Sequence, residues 1–555
     1  MKILLLVTAF NSQTQAVYTW LKNRDHQVAV AYAINEAQML EEIEAFEPEL
    51  ILCPFLKAYL PESIYENYPI YIFHPGPRGD RGPNALEYAL QSHTKEWGIV
   101  ILRANAEYDG GDIYAEQHFK VRNTYKASLY RQEVVQASLQ ALDQFFEHYE
   151  KGIFRPQILN PLHKEFTQKM RAIDWQKDNT ETIMHKIYLS DSHPGVLDEI
   201  LGVSCYLYGA WREDKFGDAT EVSLPKTILA KRDGAICLKT IDGAVWISHL
   251  KEPGKFKLPA TYVLKEKLKG IKEERLPLVF DKSYETFYEV SVEKRDTVAY
   301  LCFNFHNGAM SAAQCVRLKY AVEYLKNECE VLVLVGGMDF FSNGIHLNIL
   351  EDSRKQGEDG WANINAMNDL VQSILYADEV VTIASFARNA GAGGVFMGLA
   401  CDYAVAKEGV VLNPHYRTLG LSGSEYHTYS LPKRVGEKKA EELLEACLPL
   451  SAEQAEKIGM IDAVFGDADY YEALHCFAVN SYDDDFLWEK QEYLEENREK
   501  IEACKERELE VMHPEFWDEN SAFHQLRREF VYKVCPRETP QRLKRRGHPC
   551  GDPIM

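Results

Sequence analysis

Short apolar runs that suit buried strands alternate with helical patterns twice along this chain of 555 residues. The first alternation extends from Lys2 to about Pro161, and the second from Tyr284 to about Asp467. Each predicts a parallel sheet with helices on both faces, whose ligands bind at the carboxyl ends of the strands. The chain is too long for one hydrophobic core, so several domains are expected.

A different pattern separates the two α/β segments. From Asp174 to about Pro277, one helical stretch precedes short alternating strands with Gly and Asp-Gly turns, which predicts a small β-barrel. Beyond Asp467 the sequence is strand-poor and consists of charged helical runs. We therefore predict an α/β multidomain protein with a Rossmann-like domain, an OB-like β-barrel, a second α/β domain and a C-terminal helical region, at residues 1–165, 166–277, 278–467 and 468–555.

The net charge, the cysteine pattern and the lengths of the apolar runs exclude several classes of protein. A net charge of −22 argues against a protein that gains affinity by neutralising nucleic-acid phosphates. Twelve cysteines without a CxxC pair suit reduced thiols, and no structural metal is predicted. No stretch reaches the roughly 18 apolar residues of a membrane span. The sequence thus predicts a soluble cytoplasmic protein with small-molecule substrates and no nucleic-acid or membrane partner.

A histidine and an aspartate form the first candidate site. Strand IYIF leads into His74 and a Pro/Gly-rich loop, and Asp109 follows the strand GIVILRA on a glycine turn. A carboxylate beside an imidazole raises its pKa and orients it for work on a carbonyl. Turn punctuation around a hydrogen-bonded histidine is the other interpretation of these residues.

Over roughly residues 2–250 the sequence resembles the folate-dependent formyltransferases, whose pattern is a strand ending Asn-x-His, a Pro-containing loop and a later Leu-Asp-x-Gly turn. The resemblance implies 10-formyltetrahydrofolate as formyl donor, catalytic roles for His74 and Asp109, and a pterin pocket lined by Tyr59 and Leu60. Ile72 stands where the family has a catalytic asparagine. Either another donor holds the formyl oxygen or the acceptor chemistry differs.

Two glycine loops form the second candidate site. Gly344 follows a buried strand, and Gly393 and Gly394 precede a short helix. Such turns leave backbone N–H groups pointing at a ligand oxygen, and two of them make an oxyanion hole. Glycine-rich turns between strands and helices are also common in α/β proteins without this function.

The loops and a late SAxxAxxxG-like segment resemble the crotonase (enoyl-CoA hydratase/isomerase) superfamily over about Thr297 to Val464. The resemblance implies a ββα-repeat domain in which Ile345 and Gly393 supply the oxyanion-hole N–H groups. It also implies contacts with coenzyme A from Asn304, His306, Gly308, Ala309, Met310, Ser342, Asn343, Gly344 and Gly394.

Departures from this superfamily are informative. The two glutamates that add water in a hydratase fall on Phe396 and His415, so we expect no enoyl-CoA hydratase activity. Polar groups remain beside that position, and we predict His415 and Tyr416 as catalytic. Glu425, Tyr426 and His427 are further candidates, and each is also compatible with an ordinary loop residue.

The fusion of these two halves resembles a family of nickel-iron hydrogenase maturation proteins. That resemblance implies synthesis of a carbon monoxide ligand from the formyl group, with formyl transfer to coenzyme A in one half, decarbonylation of formyl-CoA in the other, and the maturation machinery as a partner. We expect a passage between the halves and CoA phosphates held near Arg542 to Arg546. The alternatives are a formyltransferase with another acceptor and an inert crotonase scaffold, or a non-catalytic delivery factor.

Overall fold

The structure is a computed structural model that describes residues 1–216 and 224–544. These residues form two compact units. The first contains the described residues of 1–276, 280–287 and 536–544, and the second contains residues 277–279 and 288–535. The predicted residues Arg545 and Arg546 lie outside the described part of the chain.

The first unit begins with a six-stranded sheet in the order β2-β1-β3-β4-β5-β6. Its strands are β1 (Lys2–Val7), β2 (Gln27–Tyr32), β3 (Leu50–Cys53), β4 (Ile70–His74), β5 (Glu96–Arg103) and β6 (Ile113–Lys120). Its helices are α1 (Ser12–Lys22), α2 (Glu36–Phe46), α3 (Glu62–Tyr65), α4 (Ala85–Gln91), α5 (Lys126–Leu129) and α6 (Val135–Lys151), with a π-helical turn at Tyr130–Val134. Strands β1 to β4 are parallel, as predicted, whereas β5 runs antiparallel to both of its neighbours, β4 and β6.

An antiparallel sheet follows within the same unit, in the order β7-β8-β11-β10-β9, with β12 paired to β11. Its strands are β7 (Val196–Ile200), β8 (Val203–Glu213), β9 (Ile228–Arg232), β10 (Ala235–Lys239), β11 (Ala244–Lys251) and β12 (Leu258–Pro259), and its helices are α7 (Gln168–Arg171), α8 (Thr180–Ser190) and α9 (Ala260–Leu264). The pairing that would close a barrel is not present among residues 1–216 and 224–544. A core that includes Ile183, Ile236 and Val245 joins α8 to this sheet.

The second unit contains a six-stranded sheet, β13-β14-β15-β16-β18-β21, and a small sheet, β17-β19-β20. The strands are β13 (Val290–Arg295), β14 (Val298–Phe303), β15 (Val331–Gly336), β16 (Val381–Phe386), β17 (Ala390–Gly391), β18 (Tyr403–Lys407), β19 (Val411–Asn413), β20 (Leu450–Ser451) and β21 (Ala463–Phe465). The helices are α10 (Ala312–Leu325), α11 (Leu347–Asp352), α12 (Gln356–Leu375), α13 (Gly393–Leu399), α14 (His427–Val435), α15 (Glu437–Ala446), α16 (Ala452–Lys457), α17 (Tyr470–Ser481), α18 (Asp484–Trp517) and α19 (Ala522–Tyr532).

Local chemistry explains where several helices begin. Asn11 caps α1 by accepting a hydrogen bond from the Thr14 N–H, and Ser311 forms a capping box with Gln314 at the start of α10. Such caps satisfy backbone N–H groups that have no partner inside the helix. Both helices therefore begin directly after a residue whose side chain caps them.

The helices after Asp467 belong to two different units. The 34-residue α18 is fastened within the second unit by buried Lys490, whose ammonium donates to the carbonyls of Ala377 and Val380 and pairs with Asp402 at 2.7 Å. A last short helix, α20 (Gln541–Lys544), belongs to the first unit, where Lys544 pairs with Glu42 at 2.7 Å. None of the helices in the described ranges is both long and apolar enough to cross a membrane.

Candidate active sites

His74 is the last residue of β4 and is almost fully buried, at 5% exposure of its side chain. Its Nδ1 lies 3.4 Å from Asp109 Oδ2, so the two predicted site residues do come together. They do so although β5 runs antiparallel to β4, because the loop between β5 and β6 returns toward His74. Asp109 has a left-handed φ of 49° in that loop, and its Oδ2 accepts the Gly82 N–H at 3.0 Å.

A second carboxylate, Asp80, is the closer partner of His74. Asp80 Oδ1 lies 2.7 Å from His74 Nε2, and Asp80 Oδ2 lies 2.6 Å from Nε2 of His163. Burial alone lowers the pKa of His74, but the hydrogen bond to Asp80 and the charges of Asp109 and Asp80 outweigh it and raise that pKa above its ordinary value. The orienting role that we predicted for Asp109 alone is therefore open to Asp80 as well.

Gly76 makes room for this contact. A Cβ at Gly76 would lie 2.3 Å from Asp80 Oδ1 and 2.6 Å from His74 Nε2. We predict that Gly76→Ala separates the pair and lowers the pKa of His74, because burial then acts with less opposition. An NMR titration of the histidine ring protons measures this shift. Gly466→Ala, whose added Cβ meets open space, is the matched control and should leave the titration unchanged.

Two other predicted residues of the first unit lie away from a strand end. Tyr59 is 78% exposed and Leu60 is buried, and both belong to the segment between β3 and α3. Ile72 sits within β4, two residues before His74, and packs against two apolar clusters of the first unit. Its side chain has no hydrogen-bond donor to replace the family's asparagine, and pterin contacts of Tyr59 and Leu60 remain predictions.

Arg542 lies on α20 in the first unit, with its guanidinium carbon 6.0 Å from the centre of the Phe10 ring. The neighbouring Thr539 accepts a hydrogen bond from the Tyr32 N–H at 2.9 Å and so fixes this segment at the carboxyl end of β2. The carboxyl ends of parallel strands are where such sheets bind ligands. A role for Arg542 in holding CoA phosphate is still a prediction.

In the second unit the two glycine loops meet. Gly344 has a φ of 79°, and a Cβ at this residue would lie 3.3 Å from the backbone nitrogen of Gly393. Within residues 1–216 and 224–544, neither the Ile345 N–H nor the Gly393 N–H donates to a protein acceptor. Two neighbouring, unused N–H groups are what an oxyanion hole requires.

The segments predicted to contact CoA lie beside these loops. The Asn343 N–H donates to the Gly308 carbonyl at 2.7 Å, and the Met310 N–H donates to the Gly344 carbonyl at 2.8 Å. These bonds align the 306–310 segment, with His306 and Ala309, along the 342–345 segment. A ligand at the glycine loops would therefore meet both segments.

Three of the residues predicted to contact CoA, namely Asn304, Ser342 and Gly394, also have structural roles in this region. The Asn304 side chain accepts the Met338 N–H at 2.9 Å, and Ser342 Oγ donates to the Gly308 carbonyl at 3.2 Å. A Cβ at Gly394 would lie 2.2 Å from the Ser342 carbonyl oxygen, so this position requires glycine. Ser342 and Gly394 thus shape the loops from which the two N–H groups project.

Glu425 is the carboxylate of this site. It is 1% exposed, and a Cβ at Gly393 would lie 2.7 Å from its carboxyl carbon, so the carboxyl group rests against the Gly393 backbone. The Tyr416 hydroxyl donates to Glu425 Oε2 at 2.6 Å. Burial raises the pKa of Glu425 to about 6 against the opposing effect of the Tyr416 hydrogen bond. This group can therefore exchange a proton near neutral pH.

The backbone around Glu425 is held in an unusual conformation. Glu425 and Tyr426 have consecutive left-handed φ angles of 62° and 57°. Asn368 accepts the Glu425 N–H at 3.0 Å, and buried Glu508 on α18 accepts the N–H groups of Tyr426 and Thr428 at 2.9 and 2.7 Å. Strained backbone that persists at such a point is often part of a functional site.

Aromatic rings pack around Tyr416, the residue that donates to the Glu425 carboxylate. Phe396 stacks on Tyr416 with ring centres 5.1 Å apart, and His427 packs edge-on against Phe396 at 5.5 Å. His415, predicted as catalytic, is half-buried, with Nδ1 3.5 Å from Thr418 Oγ1. The structure thus provides a close hydrogen-bond connection to Glu425 for Tyr416, while a role for His415 stays a prediction.

Sequence reasoning missed four groups that hold these sites. Asp80 had a local signal, because it shares a Pro/Gly-rich loop with His74. His163, Asn368 and Glu508 had none, since 57 to 83 residues separate them along the chain from the groups they bind. Glu425 was among the candidate polar residues, but only its contact with Gly393 distinguishes it from its neighbours.

Comparison with known proteins agrees with this architecture. Residues 165–268 match the C-terminal domain of the formyl transferases, and residues 293–478 match the enoyl-CoA hydratase/isomerase family. The hydrogenase maturation factor HoxX of Bradyrhizobium diazoefficiens is 33% identical over 99% of both chains. The chain belongs to the HypX/HoxX family of hydrogenase maturation factors.

A solved member of this family has the same fold. The crystal structure of HypX from Aquifex aeolicus in complex with tetrahydrofolic acid is 39% identical, covers 98% of this chain and 99% of its own, and superposes with a TM-score of 0.94. A methionyl-tRNA formyltransferase of Fervidobacterium nodosum is 25% identical over 40% of this chain and 73% of its own length. The predicted fold class, a formyltransferase half followed by a crotonase-like half and C-terminal helices, is confirmed.

Proposed function

We propose that this maturation factor makes the carbon monoxide ligand of a nickel-iron hydrogenase from 10-formyltetrahydrofolate. The first unit transfers the formyl group to the thiol of coenzyme A, and the second unit splits formyl-CoA into CO and CoA. Tetrahydrofolic acid bound to the Aquifex aeolicus relative supports the folate donor. The soluble maturation machinery of the hydrogenase is the expected partner.

In the first unit, His74 acts on the formyl group with Nδ1, the nitrogen that Asp80 does not bind. The thiolate of CoA forms a bond to the formyl carbon, the bond from that carbon to the folate nitrogen breaks, and the nitrogen takes up the proton that the thiol released. The buried carboxylates Asp80 and Asp109 stabilise a charged imidazole during these steps. Tyr59 and Leu60 would contact the pterin, and Arg542 a CoA phosphate.

In the second unit, the N–H groups of Ile345 and Gly393 bind the thioester oxygen. Glu425 removes the formyl proton, the electron pair of the C–H bond becomes the carbon lone pair of CO, and the C–S bond pair leaves with sulfur. The same proton then passes to the thiolate, directly or through Tyr416. The reaction is redox-neutral and uses a buried carboxyl group beside the packed rings of Tyr416, Phe396 and His427, where excluded water cannot hydrolyse the thioester.

The observation that carries this proposal is the buried carboxyl group of Glu425, with a pKa of about 6, resting on Gly393. A hydratase would need a second carboxylate, and Phe396 occupies one of its two positions, so hydration of crotonyl-CoA is not expected.

The decisive experiment incubates the protein with 10-formyltetrahydrofolate and CoA and measures CO, tetrahydrofolate and CoA thioesters together. Equal amounts of CO and tetrahydrofolate, dependent on CoA, support the proposal. Folate turnover without CO would favour a formyltransferase with another fate for the formyl group. No turnover of either would favour a delivery factor.

A further inference from the structure

Asp80 bridges two histidines that lie far apart in sequence. Its side chain is 4% exposed, and each oxygen contacts one imidazole: Oδ1 contacts His74 Nε2 at 2.7 Å and Oδ2 contacts His163 Nε2 at 2.6 Å. An ionised carboxylate only accepts hydrogen bonds, so both nitrogens carry the proton of their contact. The bridge therefore makes Nε2 the protonated nitrogen of His74.

The far end of this bridge is firmly held. The His163 ring stacks on Tyr88 with centres 4.2 Å apart and planes 13° from parallel. Its backbone N–H donates to the Arg81 carbonyl at 2.8 Å. His163 is also the more accessible imidazole, at 30% exposure against 5% for His74. A histidine fixed in this way can hold the Asp80 carboxylate in place, aimed at His74.

We propose that His163 is a positioning residue for formyl transfer, which acts through Asp80 to fix the Nε2-protonated tautomer of His74. Nδ1 is then the nitrogen that faces the substrate beside Asp109, as an acceptor in the neutral ring and as a donor in the charged one. This inference rests on the proposed function of the first unit. The arrangement has the logic of a triad in which a buried carboxylate orients the working imidazole, with one further residue behind the carboxylate.

Two substitutions separate the hydrogen bond from the packing. His163→Phe keeps a flat ring against Tyr88 but removes the donor, and we expect kcat for formyl transfer to fall about tenfold to a hundredfold, as is typical for residues that orient a working side chain, with little change in KM. His163→Gln restores an N–H donor and should regain much of the rate. His118→Phe changes a half-exposed histidine of the same unit and should have no effect.

Nitrogen-15 NMR of the histidine rings gives a measurement that does not require turnover. Wild-type His74 should show the Nε2-protonated form, and His163→Phe should shift it toward a mixture of tautomers, with His163→Gln close to wild type. An unchanged His74 spectrum in His163→Phe would overturn the inference, whatever the rates. A changed spectrum in a protein that never consumes formylfolate would support the control of the His74 tautomer by His163 and refute the proposed function of the first unit instead.

Discussion

Replacing Glu425 by glutamine is expected to reduce CO release from formyl-CoA by about 10²- to 10⁴-fold, the usual cost of removing a general acid or base. Glutamine keeps the volume and can still accept the Tyr416 hydroxyl, so a lost rate reports the missing carboxylate and not a cavity. Folate turnover should continue in the same variant. Formyl-CoA, or the formate that it yields on hydrolysis, should then accumulate, as measured by chromatography of CoA thioesters beside a gas-phase CO assay.

Glu515→Gln is the matched control for this change. Burial also raises the pKa of Glu515, as it does for Glu425. The Glu515 carboxylate accepts hydrogen bonds from Ser422 in the same unit. In the described structure, Glu515 makes no hydrogen bond to the glycine loops. It should release CO at close to the wild-type rate. If Glu425→Gln released CO at the wild-type rate, the assignment of Glu425 as the base would be wrong. A loss of CO release in Glu515→Gln alone would point to Glu515 instead.

The pH dependence of decarbonylation follows from the same group. Because Glu425 must be ionised to remove the formyl proton and its pKa is about 6, CO release should fall as the pH drops below about 6 and level off above it. The Tyr416 hydrogen bond lowers this pKa, so Tyr416→Phe should move the inflection to higher pH as well as reduce the rate. An unmoved inflection in Tyr416→Phe would show that another group titrates.

The second large effect is expected at His74. His74→Ala should reduce consumption of 10-formyltetrahydrofolate by about 10²- to 10⁴-fold, because it removes the imidazole that acts on the formyl group. Asp109→Asn should also be strongly impaired, since it removes one of the two charges that raise the pKa of His74. Melting temperatures near that of the wild type would show that chemistry and not folding is lost.

A second assay of His74→Ala, in which formyl-CoA is supplied directly, tests whether the two reactions occur at separate sites. If the two reactions occupy separate sites, His74→Ala should still convert formyl-CoA to CO, which is the reverse of the Glu425→Gln phenotype. His118→Ala, which removes another imidazole of the first unit, should behave like the wild type in both assays. Should His74→Ala block CO from formyl-CoA too, the two-site scheme fails and one combined site must be sought.

Much of the fold could be predicted because its signals are local. Apolar runs predicted buried strands such as β4, which ends at His74, and β15, which precedes Gly344. The reversed direction of β5 was not predicted. Strand direction depends on how the chain returns between strands, and a buried strand has the same apolar composition in either direction.

The candidate sites, like the fold, were only partly predictable from the sequence. The Pro/Gly loop after His74 and the glycine pair at Gly344 and Gly393 could be found because tight turns and exposed N–H groups require glycine at those places. The roles of Asp80 and Glu425 could not, since even the Pro/Gly-rich loop that Asp80 shares with His74 does not show whether a carboxylate is exposed on the surface or buried in a site.

The sequence by itself determined the succession of domains, the positions of the glycine loops and the pairing of a formyltransferase half with a crotonase-like half. Only the tertiary structure decided which charged groups act there. It brings the His163 ring into contact with Asp80, and it places Glu508 of α18 where its carboxylate accepts a hydrogen bond from the Tyr426 N–H. The physical reason is that burial and long-range hydrogen bonds, which set the pKa values of His74 and Glu425, arise only when segments distant along the chain pack together.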